Sequence, residues 1–262
     1  MSIDEPEPAA AEAPGLSVEA VSVATLPFEN YLPLASFPDA PIPLTRLERE
    51  HGIAREHVLV LSSADCTGRE PDVSALVLAG LGAPAAAQPL FLVRSGPLRD
   101  SMVASLAQLV HESGWAGEDI GITHLEELGG TVCFGLLGWA VPAQAGATVL
   151  ICDEPLFGDA RGPCRFAAVG LRLRRGPGPL RVLGYGEGAP GERAGGAAHR
   201  FSGRGPCDGW LAFHQALAAG VVRDGERVLV HARGPLREGW LLLDAVDAAA
   251  VRLSDDLAPA GR

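Results

Sequence analysis

Short apolar runs alternate with segments of helical period along this chain. Residues 16–25 (LSVEAVSVAT) set Val among small residues at strand spacing, and 57–62 (HVLVLS) and 89–94 (PLFLVR) are apolar runs of strand length. Between them, 44–51 reads as a short helix stopped by Gly52, and 72–80 as a second helix with Asp72 near its N-cap. Met102, Leu106, Leu109 and Val110 recur at helical spacing and predict an amphipathic helix over 99–113, followed by a short strand at 120–122. An apolar helix over 134–144, ended by Gly146, leads into buried strands at 147–154 and 164–174. Further strands are expected at 180–188, 226–232 and 239–246, with a helix over 210–219 ended by Gly220. The Pro-rich 26–43, the Gly/Arg-rich 186–209 and the last dozen residues read as irregular, and residues 1 to about 15 as a disordered tail.

Alternating helices and short apolar strands predict an α/β protein with buried sheets. Residues 134–170 and 210–246 end alike, as helix, glycine, buried strand, glycine-bearing loop and strand. That parallel predicts a structural duplication, with halves at 16–170 and 171–262 and the second copy shortened.

Composition narrows the chemistry. Hydrophobic residues make up 47% of 262, enough for a large core. The net charge of −11 would repel nucleic acid or an anionic membrane, so neither is expected as a partner. Every cation is arginine, which excludes Schiff-base and P-loop lysine chemistry. Cysteines at 66, 133, 152, 164 and 207 are odd in number and form no CxxC, so reduced thiols are expected in place of disulfides or zinc ligands. The seven histidines are scattered without ligand spacing, and no metal or other cofactor is expected. The N-terminus lacks the basic and apolar regions of a signal peptide, and a cytoplasmic location is the default.

Several segments resemble a known family. VCFGL at 132–136 is similar to the nucleophile segment of β-ketoacyl-acyl-carrier-protein synthase III, of the thiolase superfamily. FGD at 157–159 with AAVGL at 167–171, and FHQALAAGVVRDGERVLVHARGPLREGWLLLDA at 213–245, resemble that family's later motifs. YLP at 31–33, HGIAR at 51–55 and SALVLAGL at 74–81 stand in the family's order. The resemblance implies a five-layer α/β thiolase-like fold, here with a truncated C-terminal half, and dimerisation through the N-terminal halves. It implies a Cys-His-Asn chemistry in which Cys133 accepts an acyl group from a thioester and the Gly234 N–H helps form an oxyanion hole.

Two readings of Cys133 stand side by side. At the start of an apolar helix a thiol gains from the helix dipole, which lowers its pKa. A free cysteine is also among the most buried residue types, and Cys133 then serves as an inert core thiol. Departures from the family pattern weigh on the choice. Phe134 follows the cysteine where the family has a small residue, and Pro142 interrupts its helix. The stretch matching the family's histidine segment, GEGAPGERAGGAAHR, holds neither a full strand nor a full helix. Gly203 stands where the asparagine should be, and Pro235 removes an N–H from the glycine loop. His231 is the best spare base, ahead of His199 and His214.

The resemblance therefore implies a non-catalytic subunit, similar to the small subunit of heterodimeric alkylquinolone synthase, paired with a catalytically complete homologue. The alternative is an active acyltransferase or condensing enzyme using Cys133. A homodimer, and an acyl-CoA or acyl-carrier protein as further partner, are also expected from the family. Arg172, Arg174, Arg175 and Arg181 read either as solvated strand ends or as a local basic cluster for an acidic carrier protein.

Overall fold

The computed structural model describes residues 15–27, 31–36, 59–61, 73–95, 105–153, 165–191, 194, 196–234 and 236–257. The expected helix at 44–51, the FGD and HGIAR motifs, Met102, Pro235, Cys66 and Cys164 lie outside these residues. The described strands are β1 (Leu16–Pro27), β2 (Tyr31–Pro33), β3 (Leu59–Leu61), β4 (Leu90–Arg94), β5 (Asp119–Ile122), β6 (Ala147–Asp153) and β7 (Arg165–Arg175). They continue with β8 (Leu180–Glu187), β9 (His199–Gly203), β10 (Glu226–Arg233), β11 (Glu238–Ala245) and β12 (Arg252–Leu257). The described α-helices are α1 (Val73–Leu81), α2 (Ser105–Ser113), α3 (Cys133–Ala140) and α4 (Asp208–Ala218).

The chain is α/β, built on a sheet of order β5-β4-β6-β7-β1-β8-β11-β10-β9, with β12 parallel to β1 and a separate β2–β3 pair. Outward from β1 and β8 the sheet forms two similar wings. In the first, α3 leads into the antiparallel pair β6–β7, with β4 parallel to β6; in the second, α4 leads into β10–β11, with β9 parallel to β10. The wings differ at their rims. In the first, β5 precedes α3 and is separated from β6 by β4, whereas β9 precedes α4 and lies directly against β10. Among the described residues the second wing thus ends one strand earlier than the first.

Strand alternation explains the layers, because successive side chains point to opposite faces. Phe91, Val93, Val149, Ile151, Val169 and Leu171 face inward from the first wing, and Val182, Val228, Val230, Leu241 and Leu243 from the second. They enclose α3 and α4 in one core, where Phe134 and Trp210 stack with centroids 6.1 Å apart. The intervening residues Leu90, Leu92, Leu150 and Ala168 face the other way and are covered by α1 and α2 through Val73, Val77, Leu81 and Leu109. On the outer face of the second wing Leu229 and Leu242 pack against Ala194, with Leu183, Ala197 and Trp240 half-buried beside them. Ala194 and Ala197, between β8 and β9, thus cover this outer face.

Several boundaries differ from those expected. The helix expected over 134–144 ends at Ala140, because Val141, preceding Pro142, is extended (ψ 121°). β7 runs on to Arg175 within the first wing, past the boundary placed at 170. The stretch 186–209, read as irregular, contains β9: Phe201 stacks on Phe213 of α4 at 5.5 Å, and the strand hydrogen-bonds along β10. Ala198 N donates to Arg227 O (2.8 Å), so the preceding coil is also tied to the sheet. Within the polar C-terminal stretch, β12 pairs with β1 from Ala20 to Thr25, the part of β1 beyond its short pairing with β8.

His214 of α4 is buried, and its Nε2 has no hydrogen-bond partner. Desolvation lowers its pKa below 6.5, opposed by Asp255 and a hydrogen bond to the Ser254 backbone. A lowered base contributes stability above its unfolded pKa and loses it as pH falls toward the folded value. Wild-type stability should therefore drop relative to His214→Gln between about pH 7 and pH 5. Urea midpoints of both proteins across that range check this; parallel pH profiles would contradict it.

Candidate active site

Cys133 opens α3, as the sequence predicts, and the turn before it (Glu126–Gly130) is a 3-10 helix. The expected acidity of its thiol is not found. The side chain is 1% exposed among apolar neighbours, and burial raises its pKa above the usual thiol range. Withdrawal from water outweighs the dipole of a helix of only eight residues. Cys152 and Cys207 form no disulfide and are buried too; the Cys207 thiol donates to Ile151 O (3.3 Å), and burial followed by the nearby Asp153 raises its pKa.

Gly234 lies at the β10–β11 turn. Its N–H donates to Arg237 O (3.2 Å), so it is engaged within its own loop and not free to form an oxyanion hole. The next donors along this loop are also occupied. Leu236 N and Arg237 N donate to the Glu127 carboxylate at 3.3 and 3.0 Å. A Cβ at Gly234 would lie 2.1 Å from Glu127 Cγ, which leaves the loop and the carboxylate in van der Waals contact. Glu127 is 6% exposed, and desolvation raises its pKa against the pull of those backbone N–H groups. The loop is adjacent to the start of α3: a Cβ at Gly239 would meet Thr131 Oγ1 at 2.7 Å.

The remaining candidates face elsewhere. His231 follows inward-facing Val230 on β10 and pairs in register with Trp240 of the outer-face cluster, and therefore points to the outer face, where it is buried and its Nε2 lies 2.8 Å from Glu238 Oε1. It is not turned toward Cys133. His199, expected in an irregular stretch, is the first residue of β9 and pairs with Glu226 (2.9 Å). Gly203 ends β9, and the position a side chain would take there is filled by Asp208, whose Cβ is 2.0 Å from an ideal Cβ at 203. Asp208 Oδ2 accepts from Arg204 N and Gly205 N, both at 3.0 Å.

Two residues missed by sequence reasoning shape this region. Glu127 reads as an ordinary acidic turn residue until the loop folds over it. Tyr185 of β8 lies across Gly135 in the first turn of α3, with its ring 2.8 Å from an ideal Cβ there. A glycine so close after a helix start, facing an aromatic strand residue, was the only signal. Among the described residues no group of three or more His, Cys, Asp or Glu side chains is arranged to hold a metal ion. No helix among them is long and apolar enough to cross a membrane.

No family model and no curated protein matches the sequence. Solved structures do match. ChlB3, an acyltransferase, aligns at 13% identity over 90% of this chain and 99% of its own, with a TM-score of 0.58. 3-Oxoacyl-[acyl-carrier-protein] synthase III from Aquifex aeolicus VF5 aligns at 13% over 88% and 100%, with a TM-score of 0.52. The fold is thiolase-like. Tetrahydroxynaphthalene synthase from Streptomyces coelicolor A3(2), a type III polyketide synthase, extends the set at 15% identity over 88% and 99%, with a TM-score of 0.54. These alignments run the length of each neighbour, so no truncated half is delimited by them.

Proposed function

We propose that this chain is a non-catalytic subunit of a condensing or acyl-transferring assembly, paired with a homologue that carries complete Cys-His-Asn machinery. The observation that carries the reading is Glu127 seated on the Leu236 and Arg237 N–H groups beside the start of α3. Donors of that kind stabilise the oxyanion of acyl transfer only if they are open to substrate. Here they hold the protein's own carboxylate. The sealed thiol of Cys133, the Asp208 side chain beside Gly203 and the outward-facing His231 support the same reading. The named activities of the structural neighbours give the chemistry of the proposed assembly, and the pairing follows the pattern of heterodimeric alkylquinolone synthase.

The test is co-expression with a full-length homologue, followed by size-exclusion chromatography and an acyl-transfer assay. The proposal expects a stable complex, with Cys133→Ala leaving its activity within about twofold, since no step uses this thiol. Leu106→Asp or Val110→Asp on α2 should abolish assembly through the first wing. A second reading, Cys133 as acyl acceptor with Gly234 at the oxyanion, would be favoured by an acyl adduct on this chain after incubation with acyl-CoA, together with lost activity in Cys133→Ala. Iodoacetamide labelling of native protein gives a further check. Cys133 should react at least about a hundredfold more slowly than after unfolding, because the thiolate is the reactive form and burial disfavours it.

A further inference from the structure

Past the C-terminal end of α3, away from Cys133, a cavity of about 530 Å³ opens between residues 83–88, the 143–146 turn and the strands β7 and β12. Its charged groups are Arg172, Arg174, Arg175 and Arg252 against the single carboxylate of Glu19, in a chain whose net charge is −11. Two of these arginines have evident structural work. Arg174 pairs with Glu19 (3.0 Å), and Arg175 donates to Val141 O (2.8 Å) and to Gly138 O at the end of α3.

Neither of the other two is neutralised by a carboxylate among the described residues. Arg172 and Arg252 both pair in register with Ala20, from β7 and β12 on either side of β1. They share one face, with stems about 10 Å apart across an alanine methyl, which is two strand spacings. Arg172 is 4% exposed and lies over the Trp115 ring, 5.8 Å from its centroid. It donates to Thr148 Oγ1 and Gly82 O, while the Gln88 amide oxygen accepts from it and from Thr148, so these acceptors are all neutral. Arg252 is exposed and has no carboxylate partner among the described residues. Desolvation and the like charge of Arg252 bring the Arg172 pKa down to about 10. A buried cation set beside a second cation, with no anion between, is the arrangement that an incoming anion relieves.

We propose that this cavity binds the phosphate group of a small phosphomonoester between Arg172 and Arg252. A phosphate dianion matches the two guanidinium charges and can take the forked donors of the exposed Arg252, whereas a carboxylate would leave one cation uncompensated. The Ala83, Ala85, Ala86 and Ala145 walls take the ester's remaining atoms, and the volume falls within the range of small-molecule sites.

Isothermal titration with inorganic phosphate and with ribose 5-phosphate, each against acetate at matched ionic strength, tests this on the full chain. Both phosphates should bind saturably and at least about tenfold more tightly than acetate, with ribose 5-phosphate the tighter if the walls contribute. Arg252→Ala, an exposed change that leaves the core untouched, should weaken phosphate about tenfold or more; Arg200→Ala on the far edge strand should not. Arg252→Glu should raise the melting temperature in phosphate-free buffer, by pairing with Arg172, and abolish the response to phosphate. Equal binding of acetate and phosphate, or unchanged phosphate affinity in Arg252→Ala, would overturn the proposal.

Discussion

Trp210→Ala should cost about 3–5 kcal/mol, a large share of the roughly 5–15 kcal/mol that holds a domain folded. Trp210 is fully buried on α4, stacks on Phe134 of α3 and lies 5.9 Å from Phe213, and its Nε1 donates to Gly130 O (2.8 Å). One side chain thus joins the central helices of both wings and satisfies a backbone carbonyl of the turn that presents Cys133. Trp210→Phe retains most of the apolar contact but strands that carbonyl, and should cost about 1–3 kcal/mol. Urea unfolding of the three proteins, followed by circular dichroism, measures both values. A loss below about 1 kcal/mol in Trp210→Ala would mean that the α3–α4 contact is not what couples the wings.

Most of this architecture was legible because buried strands announce themselves. Runs such as ATVLICD admit no solvent on either face, and β6 is buried from Ala147 to Cys152. The repeated helix–glycine–strand ending at 134–170 and 210–246 is the pair of wings read directly from sequence, because both copies face the same core. What escaped were segments whose structure comes from pairing and not from composition. β9 is HRFSG and β12 is RLSDDL, neither apolar nor cleanly alternating. β9 exists because α4 offers Phe213 to Phe201, and β12 because β1 has backbone groups to pair beyond Val18. Tertiary context of this kind overrides weak local propensity.

The candidate site was legible in its positions more than in its state. Cys133 does open a helix, and Gly234 does sit in the β10–β11 turn, both as the motif spacing required. Neither the acidity of the thiol nor the availability of the N–H could be read from spacing. Both depend on what lies against the residue, and that is a matter of the other wing. His231 illustrates the point: one residue of register decides whether it faces the Cys133 side of the sheet or the opposite face, and β10 turns it to the opposite face, where it is buried.

The sharpest test of the site concerns Glu127 and Gly234 together. An alanine methyl at 234 would fall 2.1 Å from Glu127 Cγ and Oε1, inside any permitted contact, and Glu127 is buried with little room to withdraw. Gly234→Ala should therefore cost about 2–3 kcal/mol in the wild-type background. Glu127→Ala removes both the obstacle and the acceptor of two loop N–H groups, and should itself cost about 1–3 kcal/mol. In the double variant the methyl enters the space that the carboxylate vacated, so the combined loss should fall short of the sum by about 1–3 kcal/mol. The pH dependence gives an independent sign. The raised pKa of Glu127 means that its contribution is greatest below about pH 4.5, where the carboxyl is neutral in both states, and declines as pH rises through the folded value. Wild type should accordingly lose stability relative to Glu127→Gln as pH climbs from about 4 to 7. Additive losses in the cycle would show that Glu127 does not fill the loop, and would reopen its N–H groups as an oxyanion hole beside Cys133.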